Sequence, residues 1–128
     1  MKFAKTAVLL ALSSLVSLAM AGDIKPFNQQ DFDSLTGSGQ AVVIDVSATW
    51  CPTCKAQKPI LDAQMKQPAY KHVTLLTLDF DANKPTLKNF KVVRQSTLIA
   101  FKGAKEVGRS IGDTTPEGIE GLIKKSVN

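Results

Sequence analysis

Residues 43–55 read VIDVSATWCPTCK and are the part of the sequence that says most about the fold. It begins in an apolar, mostly β-branched run and ends at Cys51 and Cys54, the only two cysteines of the chain. A buried strand that leads into a helix at a Cys-x-x-Cys places the cysteines at the positive end of the helix dipole. Free backbone N–H groups at that end favour a thiolate over a thiol. Because the thiolate is the nucleophile of disulfide exchange, the pattern predicts a redox-active dithiol.

Two other readings of the cysteine pair are weaker. A disulfide from Cys51 to Cys54 would restrict the unfolded chain little, because stabilisation by a cross-link grows with loop length. Half of a zinc site would need further ligands, since a structural zinc takes four. The only histidine, His72, lies beyond the helix that follows the pair. We therefore expect no metal and no cofactor.

The N-terminal residues have the pattern of an export signal. Lys2 and Lys5 precede an uncharged, mostly apolar stretch that ends in Ala19-Met20-Ala21, a small-x-small cleavage pattern. The stretch is shorter than the roughly 20 residues that span a bilayer. We expect residues 1–21 to be a signal peptide cleaved near Ala21/Gly22, with an uncleaved interfacial helix as the alternative. The protein would then be periplasmic or secreted.

The remaining residues, 22–128, suit one small domain. The chain has a formal net charge of +5, and loss of Lys2 and Lys5 would lower that charge by two. Its other basic residues are scattered and are not interleaved with aromatic residues. This favours an ordinary solvated surface, and we expect no nucleic-acid partner.

Periodicity predicts an alternating order of strands and helices. Apolar runs predict strands at residues 41–47, 73–80, 97–101 and, after a hairpin turn, 106–109. Helices are expected over residues 27–35, 51–67 (with a kink at Pro59), 84–91 and from Pro116 onward. Residues 22–26 read as a polar lead-in without structure. A strand, a helix and a strand in sequence imply a parallel pair, and the late hairpin adds antiparallel strands. The prediction is an α/β fold in which helices cover both faces of a central mixed β-sheet.

This arrangement resembles the thioredoxin superfamily over essentially all of residues 22–128. The resemblance is carried by ATWCPTCK (residues 48–55) after a strand, by Pro59 inside the helix, by TLIAFKG (residues 97–103) and by Gly112 before the last helix. It implies a thioredoxin-like fold and a protein-disulfide oxidoreductase.

The resemblance also implies roles for particular residues. Cys51 would be the exposed, attacking cysteine, and Cys54 would resolve the mixed disulfide. Asp45 matches the buried acid that assists proton transfer at the inner cysteine, although it could instead be a structural carboxyl bonded to the backbone. Trp50 would shape the surface that docks substrate, or be a half-buried core aromatic. The other residues expected at the substrate are Pro52, Thr53, Gln95 and Ser96.

The chain departs from the family pattern at several of these positions. Pro52-Thr53 replaces the Gly-Pro of ordinary thioredoxins, and Thr77 stands where many have a lysine near the buried acid. Ser96 stands where the family normally has a cis-proline, and the backbone of the residue before it, Gln95, pairs with substrate. A cis bond before serine would cost about 2.5–4 kcal/mol, so we expect a trans bond and a hydroxyl that can point at the cysteines. Alternatively, Ser96 merely fills the loop.

The sequence thus predicts an exported thiol–disulfide oxidoreductase that reduces protein disulfides. By resemblance, a membrane thiol-transfer protein would be its electron donor, and we expect a monomer. Three alternatives stay open. The first is a metal- or iron–sulfur-binding thioredoxin-like protein that uses the same cysteines, either alone or in a dimer that shares four thiolates. The others are a disulfide-forming oxidase and a redox-inert binding module.

Overall fold

A computed structural model describes residues 21–128, so the predicted signal peptide lies almost wholly outside the described residues. The sheet has five strands in the order β1-β3-β2-β4-β5. β1, β3 and β2 are mutually parallel, whereas β4 is antiparallel to β2 and β5 is antiparallel to β4. The strands are β1 (Asp23–Pro26), β2 (Ala41–Ser47), β3 (Val73–Asp79), β4 (Thr97–Lys102) and β5 (Lys105–Ile111). The predicted mixed sheet is confirmed.

Four helices cover the sheet. They are α1 (Gln29–Gly37), α2 (Pro52–Met65), α3 (Lys84–Asn89) and α4 (Pro116–Val127), and a short 3-10 turn covers Pro68–Tyr70. Helix α2 continues through Pro59. Helix α4 begins as its sequence predicts, because the Thr115 side chain caps it by accepting the Gly118 N–H. Within residues 21–128, no helix is long and apolar enough to span a membrane.

The core has two layers because strand β2 is buried on both faces. Val42, Ile44 and Val46 point to one side, where Phe32 of α1 and Leu87 of α3 pack against them. The alternate residues point to the other side and pack with residues of α2 and α4; these are Ala41, Val43, Leu61, Met65, Ile119, Leu122 and Ile123. Side chains alternate along a strand, so a continuous apolar run reports a strand that is covered on both faces.

The same alternation positions Asp45. It follows Ala41 and Val43 on the face that α2 covers, near the carboxyl end of β2. The chain then turns through residues 48–51 and enters α2, so the first turns of that helix lie over the carboxyl. This brings the one charged residue of the strand close to the cysteines.

One element was missed from the sequence. The predicted polar lead-in is wrong, since Asp23–Pro26 forms strand β1 and pairs in parallel with β3 from Asp23↔Thr74 to Pro26↔Thr77. This edge strand has only one neighbour and four residues, three of them exposed. It therefore lacks the apolar run that identified the inner strands.

Candidate functional site

The two cysteines meet at the N-terminus of α2. Cys51 is the N-cap residue, with extended backbone angles, and its sulfur accepts the Cys54 N–H at 3.1 Å. Pro52 takes the first helical position, where a missing N–H costs nothing. Cys51 and Cys54 are joined by a disulfide, with their Cα atoms 5.3 Å apart. The helix start thus supplies a backbone donor and a favourable dipole to the Cys51 sulfur.

The expectation that Cys51 is the more exposed cysteine is wrong for this disulfide form. Cys51 is 1 % exposed and Cys54 is 7 % exposed. Both pack with Ala48 and against Phe80, and the Ser96 side chain reaches each sulfur. The position of Cys51 at the start of the helix does not predict its burial, because Phe80 and Ser96, which cover the cysteines, come from loops distant in the chain.

Ser96 touches both reactive sulfurs. Its Oγ lies 3.1 Å from the Cys51 Sγ and 3.2 Å from the Cys54 Sγ. Disulfide sulfurs carry no hydrogen, so the hydroxyl is the donor. No peptide bond in residues 21–128 is cis, so the bond before Ser96 is trans, as expected. The side chain is 3 % exposed.

The backbone of Ser96 is held in an unusual conformation. Its φ of 62° lies in the left-handed region, which costs a non-glycine residue about 1–2 kcal/mol. The Ser96 N–H donates to the Val46 carbonyl at 2.8 Å. The Ser96 carbonyl accepts from the Gly112 N–H at 3.0 Å and from the Gln57 side-chain amide at 3.3 Å. Three separate elements therefore fix the position from which the hydroxyl reaches the sulfurs.

Asp45 lies in a cavity of about 340 Å³, whose lining includes Cys54 but not Ser96. Polar and charged members of the lining include Asp45, Cys54, Lys55, Lys58, Asp62 and Thr77. Burial raises the pKa of the Asp45 carboxyl from 3.8 to about 6. The Lys58 ammonium opposes this rise in pKa, and the Asp62 carboxylate adds to it.

The cavity bears on the two readings of Asp45. Burial and the neighbouring charges shift the carboxyl's pKa, and no backbone hydrogen bond within the described residues contributes to the shift. A carboxyl that titrates near neutral pH can exchange a proton with the Cys54 thiol, which lines the same space. Asp45 and Cys54 line the same space, and the role of Asp45 in proton transfer stays a prediction.

The remaining predicted residues lie around the pair at its surface. Trp50 is 55 % exposed, and its indole N–H donates to Asp81 at 2.7 Å. The alternative of a half-buried core aromatic does not fit that exposure. Pro52 is exposed, and Thr53 and Gln95 are partly buried. Pro52 and Thr53 stand between the two cysteines in the chain, and Gln95 directly precedes Ser96.

Three residues at the site were not predicted from the sequence. Gln57 and Lys58 stand three and four positions after Cys54, on the helix turn that follows it. This spacing puts both residues beside Cys54 on the helix and could have identified them. Gln57 is buried, whereas the Lys58 side chain is 74 % exposed. Asp81 follows β3 and holds Trp50 from a distant part of the chain, which no local pattern reveals.

Metal ligands are not assembled in the part of the chain that the structure describes. Residues 21–128 contain no group of three or more His, Cys, Asp or Glu side chains placed to hold a metal ion. His72 lines a different cavity, together with Gly39 and Lys102. The metal- or cluster-binding alternative stays a prediction.

Comparison with known proteins identifies the relatives of this chain. Residues 23–125 match the family described as Thioredoxin. A thioredoxin of Chlamydia trachomatis serovar D is 35 % identical over 102 residues, which cover 80 % of this chain and 97 % of that protein. The thioredoxin of Chlamydia muridarum is 39 % identical over 98 residues, which cover 77 % of this chain and 93 % of the relative.

Solved structures agree with the sequence comparison. Trxlp from Edwardsiella tarda superposes with a TM-score of 0.77 at 37 % identity, covering 79 % of this chain and 98 % of that one. The oxidised mitochondrial thioredoxin 3 of Saccharomyces cerevisiae gives a TM-score of 0.68 at 30 % identity, covering 80 % and 93 % respectively. The five-stranded mixed sheet with flanking helices is therefore the thioredoxin-like fold.

Proposed function

Because this chain belongs to the thioredoxin family, we propose that it is an exported reductase of protein disulfides. Family membership and the Cys51–Cys54 pair identify it as a thiol–disulfide oxidoreductase. Reduction as the direction, export and the roles of single residues are the proposal. The observation that carries it is the disulfide at the N-terminus of α2, with Asp45 in the cavity that Cys54 lines.

The cycle starts from the reduced pair. The Cys51 thiolate attacks one sulfur of a substrate disulfide, a bond forms between those two sulfurs, and the substrate S–S bond breaks. The departing substrate thiolate takes a proton from solvent. The Cys54 thiolate then attacks the Cys51 sulfur and releases the second substrate thiolate. Two electrons have passed to the substrate, and the protein is left with the Cys51–Cys54 disulfide.

Asp45 supplies the base for the second step. Cys54 must lose its proton before it can attack, and a carboxylate in the same cavity can accept that proton. With its pKa raised to about 6 by burial, Asp45 is mostly ionised at neutral pH and is a stronger base than an exposed aspartate. The proton then passes from Asp45 to solvent.

Export would require removal of the signal peptide before Gly22. Gly22 itself belongs to the folded domain, since its N–H donates to the Met65 carbonyl at 2.8 Å. A Cβ at this position would lie 2.6 Å from the Tyr70 carbonyl oxygen, so only glycine fits. Outside the cytoplasm, the oxidised protein needs a donor of electrons, and a membrane thiol-transfer protein has the chemistry to reduce Cys51–Cys54. Its monomeric state stays a prediction.

Substrate would dock on the exposed surface beside Cys51. Trp50 offers an apolar face there, held by Asp81. Pro52, Thr53 and Gln95 complete the predicted contacts. A substrate that binds there must also displace some of the cover over Cys51, because the sulfur is buried in the disulfide form.

The roles of the cysteines are tested by trapping. We expect Cys54→Ser to accumulate substrate proteins in mixed disulfides on Cys51, because no second thiol can release them. The matched control Cys51→Ser should trap few. Non-reducing electrophoresis of envelope extracts measures both, and equal trapping by the two variants would contradict the assigned roles.

The direction of the reaction is tested by the redox potential. Equilibration of the pair with glutathione should give a potential in the range of reducing thioredoxins, near −270 mV. A potential near −120 mV would instead identify a disulfide-forming oxidase. Sequencing the exported protein should find Gly22 at its N-terminus, whereas retention of residues 1–21 would contradict cleavage.

A further inference from the structure

We propose that the Ser96 hydroxyl is a catalytic group, which donates a hydrogen bond to whichever of the two cysteine sulfurs carries negative charge during exchange. The inference rests on the proposed function and deepens it. The sequence placed Ser96 among the residues that contact substrate, with a hydroxyl that can point at the cysteines, and gave that hydroxyl no chemical role. Here it acts on the reacting atoms of the protein itself.

The distances allow one hydroxyl to serve both sulfurs. The Ser96 Oγ is 3.1 Å from one sulfur and 3.2 Å from the other. Rotation about the Cβ–Oγ bond leaves the oxygen in place and turns its hydrogen from Cys51 towards Cys54. The first half of the cycle places negative charge on Cys51 and the second half places it on Cys54, so the same donor faces both charged states.

The contact strengthens when the disulfide is reduced. A disulfide sulfur is a weak acceptor, whereas hydrogen bonds to an ionised partner are about twice as strong as neutral ones. In the disulfide form, the Cys51 sulfur has two donors from different parts of the chain, and both would face the thiolate after reduction. One is the Cys54 N–H of α2 at 3.1 Å, and the other is the Ser96 hydroxyl at the start of β4.

The surroundings hold this donor in place. The hydroxyl is buried, so water does not replace it at the sulfurs. The three hydrogen bonds of the Ser96 backbone with Val46, Gln57 and Gly112 maintain the left-handed φ of 62° that carries the side chain to the pair. Backbone strain that is maintained by surrounding contacts is typical of functional sites.

The charged groups of the cavity that Cys54 lines are a different set of residues from the Ser96 contact. Asp45 of β2 and Lys55, Lys58 and Asp62 of α2 line the cavity that Cys54 shares. The Ser96 loop contributes a neutral dipole, whose effect on the sulfurs does not change when those groups titrate. This separates its contribution from theirs in a pH titration.

Removal of the hydroxyl should therefore destabilise the thiolate. We expect Ser96→Ala to lower the thiolate–thiol equilibrium constant of Cys51 about tenfold, the size of a hydrogen bond to a charged group. Reduction of the disulfide should become less favourable by a similar factor wherever Cys51 is ionised, and a tenfold change corresponds to about 30 mV.

The test uses the reduced full domain and needs no substrate. Ultraviolet thiolate absorbance and the rate of alkylation by iodoacetamide are measured against pH for Ser96→Ala and Ser96→Gly. Glycine relaxes the backbone at φ 62°, whereas alanine keeps the strain, so the two variants separate the hydroxyl from the conformation. Thr97→Val is the matched control, because it removes the neighbouring hydroxyl that donates to the Arg94 carbonyl at 2.6 Å and leaves the sulfur contact intact.

Equal upward shifts of the Cys51 titration in both Ser96 variants, with none in Thr97→Val, would support the proposal. An unshifted Ser96→Ala titration would overturn it. So would a shift confined to Ser96→Gly, or one equally large in Thr97→Val, since either would assign the effect to the backbone or to loop packing. Failure of the proposed reductase function would appear separately, as absence of trapping by Cys54→Ser.

Discussion

The two sets of residues that surround the dithiol differ in whether their side chains ionise. Behind Cys54, the cavity of β2, α2 and β3 holds ionisable side chains, among them Asp45, Lys58 and Asp62. At Ser96, the sulfurs meet a neutral, buried hydroxyl, and the Ser96 backbone is held by two backbone hydrogen bonds and one from the Gln57 side chain. One side can gain or lose a proton, and the other cannot.

Disulfide exchange needs both proton transfer and stabilisation of a thiolate, and different residues of the site supply the two. Proton transfer needs a group whose pKa lies near the working pH, and partial burial in a charged cavity provides that. Stabilisation of a thiolate needs a fixed donor without water, and a rigid loop provides that. Variants of one side should therefore change pH dependence, while variants of the other should change the sulfur's intrinsic acidity.

The largest effect should come from Asp45→Asn, which removes the titrating group from the cavity. We expect release of trapped substrate from Cys51 to slow about tenfold or more, because Cys54 loses its base. Single-turnover reduction of a model disulfide, followed at neutral pH, measures this step. An unchanged rate would remove Asp45 from the mechanism.

The same variant should be more stable than the parent at neutral pH. The folded pKa of about 6 exceeds the unfolded value of 3.8, so the stability contribution of Asp45 is full below pH 3.8 and is lost as the pH rises to about 6. Asp45→Asn should thus gain about 1–3 kcal/mol in free energy of unfolding at pH 7 and little below pH 3.8. Urea denaturation at both pH values checks the sign, and equal gains at both would contradict it.

The next effect concerns the anchor of the Ser96 loop. Gln57 is buried, and its amide donates to the Ser96 carbonyl and to the Asp113 carbonyl, the latter at 2.9 Å. Gln57→Leu should cost about 1–2 kcal/mol in free energy of unfolding, reduced because the Gln57 Oε1 has no partner among the described residues. It should also weaken the Ser96 contact and raise the pKa of reduced Cys51.

Gln64→Leu is the matched control for this variant. Gln64 is buried on the same helix and pairs with Gln67, away from the Ser96 loop. It should leave the thiolate titration of Cys51 unchanged. If both leucine variants shift the titration equally, the anchor has no special role.

A smaller effect should follow from Lys58→Met on the cavity side. Lys58 lowers the pKa of Asp45 and forms an exposed ion pair with Asp62 at 3.0 Å. Its loss should move the titration of Asp45 to higher pH, while Asp62→Asn should move it to lower pH. Both shifts should shrink in high salt, since exposed charges are screened. Carboxyl NMR titration measures them, and shifts in one common direction would contradict the assignment.

The smallest effect should come from Asp81→Ala, at the surface. The Trp50 indole would lose its partner, but an exposed hydrogen bond contributes no more than about 0.5–1 kcal/mol. Stability should change little, and substrate affinity should weaken modestly. Trp50 is the only tryptophan, so its fluorescence reports the change directly. A large loss of stability would show that Asp81 has a structural role.

Much of this molecule follows from local sequence pattern. The apolar runs gave β2, β3 and β4 because buried strands need continuous hydrophobic residues, and Cys51-Pro52 marked the start of α2. Strand β1 was missed because an edge strand is exposed and has no such run. Asp45 was predicted to be a site residue because burial of a carboxyl in an apolar strand costs free energy unless the group has a partner or a function.

Contacts between distant segments could not be predicted in the same way. The cover over Cys51 and the Trp50–Asp81 hydrogen bond depend on how loops meet after folding. The sequence indicated that a hydroxyl could point at the cysteines, but not that Ser96 lies almost equally far from both sulfurs. Thr77 lines the cavity near Asp45 but carries no charge. The positive charge that lowers the pKa of Asp45 comes from Lys58, and only the folded structure shows this.

Because Cys51 is the N-cap of α2, the sulfur atom that reacts is also the atom that caps the N-terminus of the helix. A thiolate accepts the Cys54 N–H more strongly than a disulfide or a mixed disulfide does. Each step of the cycle therefore changes how firmly the first turn of α2 is closed. Amide hydrogen exchange at Cys54 should be slower in the reduced protein than in the oxidised one, so the backbone itself records the redox state.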